Sequence, residues 1–265
     1  MKKIILFAVS LSLSFPVAMA QNSGKVQMAN VTHQLIPING QTPETQNADF
    51  NAFCDSIKAI HDSPDYMGRV LCHDFPELPY HNGKQNIETN FLVDAVFQVG
   101  DVYLMEKYQQ HADLAILNFG GIRTGFPAGA LTYGNLFDVL CFDNYIAVQK
   151  FSGAALVKTF EKFTVRANGT VVEQPYSHVK IIYHKESGEK EVFIGGKPID
   201  PQRIYWVVSL DFILGPSVGD RIFEDIPRES EFEMVKPLEP LRDKMIPFLN
   251  PAKISLKMDD RVQIK

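Results

Sequence analysis

The sequence predicts a mixed α/β fold in which helices and sheets form packed layers. Its composition is that of an ordinary globular protein, with 45% hydrophobic and 22% charged residues among 265. Apolar residues recur at helical spacing in the first half, whereas short apolar runs between glycine turns dominate the last third. Helices early and strands late favour α+β layers over a regular alternation of strand and helix.

The first twenty residues have the pattern of a cleavable signal peptide. Lys2 and Lys3 precede the apolar residues 4–17, and a small-x-small triplet then ends at Ala20. The apolar stretch is shorter than the roughly twenty residues that a helix needs to span a bilayer. We therefore predict cleavage near Ala20 and export to a periplasm or out of the cell, with no membrane insertion after cleavage.

Residues 21–75 are predicted to form an N-terminal extension with one helix. Asp49 is the candidate N-cap of this helix, and Pro64 ends it. The apolar residues at helical spacing are Phe50, Phe53, Ile57 and Ile60. This spacing is typical of an amphipathic helix.

The chain has three cysteines, and export permits disulfides. Cys54 and Cys72 lie in the same N-terminal stretch, where they either pair or stay free. Cys141 stands between Leu140 and Phe142, an apolar context that favours a buried, inert thiol.

Residues 76–265 are predicted to form a single domain. Its first helix is predicted from Ile87 to about Gln98, with a break at Gly100 and an extension over residues 105–110. A short apolar run at residues 114–117 predicts a buried strand. The later predicted elements are a helix at 133–139, a strand at 145–149, a helix capped by Ser152, and strands at 179–183, 191–194 and 205–212.

The buried strand runs directly into the motif Asn118-x-Gly120-Gly121-x-Arg123. The two glycines lack side chains, so the backbone can approach a ligand closely. An asparagine side chain has donors and an acceptor that suit a base or a ribose, and the arginine fork suits a phosphate. The alternative is a glycine turn with a surface arginine and no ligand.

From this motif onward the chain resembles the C-terminal, substrate-binding domain of the 5'-nucleotidases. The resemblance covers about residues 80–225 and depends on the order and spacing of its segments. After the motif these segments are GALTYGNL (129–136), CFDN (141–144), VQKFSG (148–153), KPID (197–200) and YWVVSLDF (205–212). The chain departs from the family pattern at residues 218–221, which are Val-Gly-Asp-Arg where Gly-Gly-Asp-Gly is usual.

The resemblance implies a nucleotide site in which Phe142 and Phe212 sandwich the base. It also implies that Asn118 addresses the base, with Asn144 close to it. The alternative for both phenylalanines is a place in the hydrophobic core.

The resemblance implies further ligands for the rest of the nucleotide. Arg123 would bind the phosphate, Lys84 would replace a phosphate-binding arginine, and Asp220 would bind ribose hydroxyls. The alternative for Asp220 is a solvated turn. The full set of implied substrate-binding residues is Lys84, Asn118, Gly120, Gly121, Arg123, Phe142, Asn144, Phe212 and Asp220.

The same resemblance implies that hydrolysis needs a part that this sequence lacks. The family's catalytic domain holds two metal ions with segments of the types Asp-x-His, Gly-Asn-His-Glu and Gly-His-x-His, and none of these occurs here. We therefore predict no catalytic residue, metal ligand or cofactor in this chain. A divalent metal pair is expected only in a partner metallophosphatase chain.

These observations predict an exported nucleotide- or nucleoside-binding chain of a 5'-nucleotidase, acting in nucleotide catabolism with a separate metallophosphatase. Two alternatives stay open: a non-enzymatic nucleoside-binding protein for uptake or sensing, and a structural module with a degenerate site. The formal net charge of −5 provides no basic excess to neutralise a phosphate backbone, which argues against nucleic acid as a partner.

Overall fold

The computed structural model describes residues 48–166, 168–169, 171–215, 222–254 and 258–265. The predicted signal peptide at residues 1–20 therefore lies outside the described residues, as does the extension up to residue 47. The chain divides into two units, Met1–Asn51 and Ala52–Lys265. Of the first unit, only residues 48–51 at the start of a helix are described.

The predicted mixed α/β fold is confirmed. Within the described ranges the helices are α1 (Ala48–His61), α2 (Ile87–Tyr108), α3 (Tyr133–Val139), α4 (Gly153–Glu161), α5 (Asp211–Leu214) and α6 (Leu241–Met245). The strands found there are β1 (Val70–Phe75), β2 (Leu114–Ile116), β3 (Gly129–Thr132), β4 (Ile146–Ser152), β5 (Thr164–Val165), β6 (Val171–Val172), β7 (Tyr176–Ser177), β8 (Val179–Tyr183), β9 (Lys190–Ile194), β10 (Lys197–Pro198), β11 (Ile204–Leu210), β12 (Glu233–Met234) and β13 (Val262–Ile264).

The central sheet has the strand order β12-β4-β11-β2-β7 in the part of the chain that the structure describes. Strand β11 is parallel to β2 and antiparallel to β4, with Leu210 opposite Ile146. The Ser209 hydroxyl also donates to the carbonyl oxygen of Ile116 at 2.6 Å, which ties β11 to β2. Consequently the C-terminal ends of β2 and β11 and the start of β4 meet at one edge of the sheet.

A second sheet has the order β10-β9-β8-β13 within the same ranges. Its last strand, β13, is parallel to β8, with Val262 opposite Ile181. The two glycines between β9 and β10 have φ values of 56° and 77°, which suit a tight turn. The pairs β1–β3 and β5–β6 form smaller antiparallel ribbons.

Helix α2 packs on the central sheet as one continuous helix of 22 residues. The predicted break at Gly100 is therefore wrong. The structure gives the reason for a glycine there, because an added Cβ would overlap both Cγ atoms of Val208 on β11. Gly100 thus permits close contact between helix and sheet rather than ending the helix.

Two further boundaries differ from the sequence expectations. The predicted strand 205–212 ends at Leu210, and Phe212 belongs to the short helix α5. Asp211 explains the turn, because its Oδ1 accepts hydrogen bonds from the backbone N–H groups of Phe212 and Tyr145, each at 2.9 Å. Ser152 is the N-cap of α4, as predicted, but its side chain makes no capping hydrogen bond.

The predicted helix in the N-terminal extension is confirmed as α1, although Asp49 lies in its first turn and not at the N-cap. Its apolar residues are exposed, with Phe53 at 60% and Ile60 at 70%. The cysteines are free thiols, including Cys54 and Cys72. Cys141 is half-buried, so the expectation of a fully buried thiol is wrong.

Candidate functional site

A cleft of about 200 Å³ opens at the sheet edge where β2 and β11 end and β4 begins. It is lined by Asn118, Gly120, Gly121, Phe142, Asn144 and Phe212. Six of the nine residues in the predicted set therefore line one cleft. An adjoining apolar floor consists of Leu117, Leu140, Leu210 and Leu241, together with Ile122.

The sheet topology explains why residues so far apart in sequence meet there. Asn118 follows β2 and Phe212 follows β11, and these two strands are parallel. Asn144 precedes β4, which is antiparallel to β11 and so begins at the same edge. Ligands of open α/β sheets commonly bind outside the carboxyl ends of strands, and the cleft occupies that place.

Asn118 lines the cleft and has a buried side-chain oxygen next to it. Its side chain is buried, and Oδ1 has no hydrogen-bond partner among the described residues. An added Cβ at Gly121 would lie 2.9 Å from this oxygen, so a side chain at that position would crowd it. A buried acceptor without a partner is costly unless a ligand or water supplies a donor.

The two phenylalanines of the cleft differ in exposure. Phe142 is 47% exposed, which places it outside the hydrophobic core, whereas Phe212 is half-buried and packs against the core. Neither ring stacks on another aromatic ring in the described part of the chain. Each ring therefore retains surface for a flat ligand.

Arg123 is exposed beside the cleft. Its guanidinium Nη1 donates to the carbonyl oxygen of Gly120 at 3.2 Å, and its Cζ lies 5.9 Å from the centroid of the Phe142 ring. The backbone N–H of Arg123 is fixed by the carbonyl oxygen of Val139 at 2.9 Å. Among the described residues Arg123 forms no ion pair with a carboxylate, so most of its donors are available to an anion.

Lys84 does not line the cleft. It is exposed on a turn whose backbone is closed by a hydrogen bond from the Lys84 N–H to the carbonyl oxygen of His81 at 3.0 Å. Asp220 lies outside the described residues. The assignment of a ligand to any of the nine residues stays a prediction.

His81, which the sequence reasoning missed, connects the turn of Lys84 to the glycine motif. Its Nε2 donates to the carbonyl oxygen of Ile122 at 3.2 Å, and its ring stacks on Phe119 at 4.9 Å. Its Nδ1 accepts from the N–H of Gly83 at 2.7 Å, which requires the neutral ring. Burial lowers the pKa of His81, which favours the same neutral form.

A buried carboxyl group also holds the backbone of His81. Glu88, at the start of α2, accepts from the backbone N–H of His81 at 3.0 Å. Burial raises the pKa of Glu88 to about 8, so the group is mostly protonated at neutral pH. Gln174 holds the other end of the motif, since its Oε1 accepts from the N–H of Phe119 at 3.0 Å.

The remaining chemistry of the described residues is sparse. Across those ranges no group of three or more His, Cys, Asp and Glu side chains has the arrangement of a metal site. The Ser177 hydroxyl is hydrogen-bonded to both Asp94 and His178. Ser177 is buried, however, and no hydrogen bond joins Asp94 to His178 among the described residues, so the three do not have the order of a nucleophile, its base and an orienting acid. Among the helices that are described, none has the length and apolarity to cross a bilayer.

Comparison with known proteins identifies a domain family and several relatives of this chain. The family model described as 5'-nucleotidase, C-terminal domain, matches residues 75–224. A protein named UshA from Yersinia enterocolitica is 27% identical over 101 residues, which is 38% of this chain and 18% of that protein. The chain thus spans about a fifth of the length of this relative.

Solved structures share the fold at low sequence identity. The 5'-nucleotidase precursor from Thermus thermophilus matches 82% of this chain and 42% of its own, with a TM-score of 0.57 and 17% identity. The NAD nucleotidase of Haemophilus influenzae matches 82% of this chain and 41% of its own, with a TM-score of 0.54 and 17% identity. In both cases the shared part is less than half of the similar chain.

Proposed function

The chain belongs to the 5'-nucleotidase C-terminal domain family, and from this membership we propose that it is an exported nucleotide- or nucleoside-binding chain of a 5'-nucleotidase. The observation that carries the proposal is the shared cleft. The exposed ring of Phe142 and the side chain of Asn118 line one opening. Arg123, which forms no ion pair with a described carboxylate, lies beside it.

The base would lie between Phe142 and Phe212. Stacking on an aromatic ring contributes about 1–3 kcal/mol per base and tolerates every base, because each has a π-face. Asn118 lines the cleft, where its side-chain amide would address the base. Asn144, which also lines the cleft, would add a second amide close to the base.

The phosphate would lie beside Arg123. Its guanidinium is next to the Gly120 backbone, where an anion can approach without meeting a side chain. A local cation matters here because the chain as a whole carries a formal net charge of −5, which repels a nucleotide. Lys84 would assist as a point charge, and Asp220 would bind the ribose hydroxyls.

The size of the cleft supports a division of the site between two polypeptides. Its volume of about 200 Å³ lies below the roughly 300–1,000 Å³ of complete ligand pockets. The described residues do not suit a dinuclear metal centre, and we assign no hydrolytic step to them. A separate metallophosphatase would cover the cleft and would supply the metal pair for hydrolysis. This chain would hold the nucleotide in place.

Export is the remaining part of the proposal. Its support is the arrangement of Lys2, Lys3, the apolar residues 4–17 and the small residues ending at Ala20. Cleavage near Ala20 would release residues 21–265 to a periplasm or to the medium.

Affinity purification from the source organism, followed by an AMP-hydrolysis assay, tests the proposal. We expect a metallophosphatase to be retained by residues 21–265, and AMP hydrolysis to require both chains. A Phe142→Ala bait should retain the partner but raise KM for AMP. Adenosine binding without any retained phosphatase would instead support the nucleoside-binding alternative, and failure to bind AMP or adenosine would support the structural module.

A further inference from the structure

We propose that Arg242 is a positioning residue that holds the Phe142 loop ready to stack on a base, a role that rests on the proposed function of the cleft. Arg242 lies on α6, beyond residue 224 where the match to the family ends. The segment Pro240–Arg242 would therefore be part of the nucleotide site although it lies outside the matched domain.

The guanidinium of Arg242 contacts the Phe142 loop directly. Nη1 donates to the carbonyl oxygen of Phe142 at 3.3 Å, and Nη2 forms an ion pair with the Asp143 carboxylate. The Arg242 residue is only 9% exposed, whereas the Asp143 side chain is 71% exposed. A buried arginine thus holds the backbone of a loop in which Phe142 and Asp143 are exposed.

Helix α3 fixes the guanidinium from another side. The Cζ of Arg242 lies 4.9 Å from the centroid of the Phe137 ring, and Nε donates to the Tyr133 hydroxyl at 3.3 Å. That hydroxyl in turn donates to Asp243 Oδ1 at 2.8 Å. One planar group therefore connects α3 and α6 to the loop that carries Phe142.

The backbone next to Arg242 holds the same loop. The Leu241 N–H donates to the carbonyl oxygen of Asn144 at 2.7 Å, and Pro240 forms a β-bridge with Tyr145. The Leu241 side chain also contributes to the apolar floor of the cleft. Residues 240–242 thus contact each residue of the loop from Phe142 to Tyr145.

This arrangement matters because the Phe142 ring has no aromatic neighbour in the described part of the chain to hold it. A side chain that becomes ordered on binding loses conformational freedom, and this loss weakens the affinity. A loop that Arg242 already fixes loses less conformational freedom when the ligand binds. Lysine would not replace it, because a single ammonium lacks the planar fork that serves the Phe142 carbonyl, Asp143 and Tyr133 together.

Arg203 provides a matched control. It also forms an ion pair, with Asp113, and its Cζ also lies over an aromatic ring, at 4.6 Å from the centroid of Tyr205. However, it precedes β11, at the end of the sheet opposite the cleft. Loss of Arg203 removes the same kind of interactions without touching the Phe142 loop.

The test is a double-mutant cycle on adenosine affinity, measured by calorimetry. Arg242→Met should weaken binding about two- to tenfold, the cost of ordering one flexible side chain, and Arg242→Lys should not restore it. In the Phe142→Ala background, Arg242→Met should weaken adenosine binding no further. Arg203→Met should leave the adenosine affinity of both the wild type and Phe142→Ala unchanged. Equal losses from Arg242→Met in both backgrounds would overturn the proposal.

Hydrogen exchange supplies a readout that needs no ligand. Arg242→Met should accelerate exchange in the peptide covering residues 141–145 and leave residues 204–210 of β11 unchanged. Acceleration throughout the domain would show a general structural role and overturn the proposal. If the wild-type protein binds no adenosine, the proposed function of the cleft fails. The exchange measurement still tests the role of Arg242: acceleration confined to residues 141–145 would support it, and acceleration throughout the domain would contradict it.

Discussion

The Arg123 guanidinium and the Phe142 ring lie side by side, with 5.9 Å between Cζ and the ring centroid. Arg123 follows β2 and Phe142 precedes β4, so the sheet brings them together across the strand β11. The pair places a cation at the rim of an aromatic surface. A nucleotide needs both, since its phosphate is anionic and its base is flat.

Arg123→Ala should weaken the binding of AMP more than that of adenosine. The difference should be about 1.5–3 kcal/mol, the range for a hydrogen bond to a charged group, and it should shrink as salt is added. Calorimetry with both ligands measures it. The melting temperature should hardly change, because Arg123 forms no ion pair with a described carboxylate. Equal losses for the two ligands, together with a lower melting temperature, would show that Arg123 only holds the turn.

Gly100→Ala should destabilise the domain, although alanine is the better helix former by about 1 kcal/mol. The added Cβ would overlap Val208, and such overpacking costs about 1–3 kcal/mol. Urea unfolding measures the change in the free energy of unfolding. Val208→Ala should offset part of this loss, so the double variant should be more stable than the sum of the single effects predicts. A stabilising Gly100→Ala would contradict the close packing of α2 on β11.

Glu88 should make stability depend on pH. Burial raises its pKa from 4.5 to about 8, so the stability contributed by the neutral carboxyl is complete below about pH 4.5. That contribution is lost as the pH rises towards 8, by roughly 1.4 kcal/mol per pH unit. Glu88→Gln stays neutral, and therefore the variant should gain stability relative to the wild type across this interval. Urea unfolding of both proteins at several pH values tests this, and parallel pH dependences would contradict it.

The purified chain covering residues 21–265 should not hydrolyse AMP or a generic phosphate ester when Mn²⁺, Co²⁺ or Zn²⁺ is added. The reason is that two-metal hydrolysis needs ligands which hold both ions about 3.5–4 Å apart, and the described residues form no such group. A colorimetric phosphate assay measures the rate. Turnover that persists through further purification and disappears with a chelator would refute the two-chain proposal.

Local patterns were sufficient to predict much of this fold. Helical spacing located α1 and the start of α2, and the apolar run before Asn118 located β2. The errors occurred where a distant residue decides the outcome. Gly100 has the local signature of a helix break, but its role is set by Val208 on another element. Phe212 continues an apolar strand pattern, yet the chain turns into α5, where the Asp211 carboxylate accepts from the N–H groups of Phe212 and of the distant Tyr145.

The cleft shows the same contrast. The residues themselves mark the motif from Asn118 to Arg123 as a candidate site, and the resemblance to the 5'-nucleotidases adds Phe142 and Phe212. The sheet places Asn118, Phe142 and Phe212 in one cleft. His81 and Arg242 gave no signal in the sequence, because their roles depend on contacts with Ile122 and with the Phe142 carbonyl. Such contacts join segments that only the folded chain brings near each other.

The most direct test of the central claim is calorimetric titration of AMP into the wild-type chain and Phe142→Ala, with Phe53→Ala as the control. Phe53 is also an exposed phenylalanine, but it lies on α1 and does not line the cleft. The wild type and Phe53→Ala should bind AMP with equal affinity, and Phe142→Ala should bind it roughly tenfold to a hundredfold more weakly, the loss expected from one stacking face. Equal affinities for all three proteins, or no binding by the wild type, would contradict the assignment of this cleft as a nucleotide site.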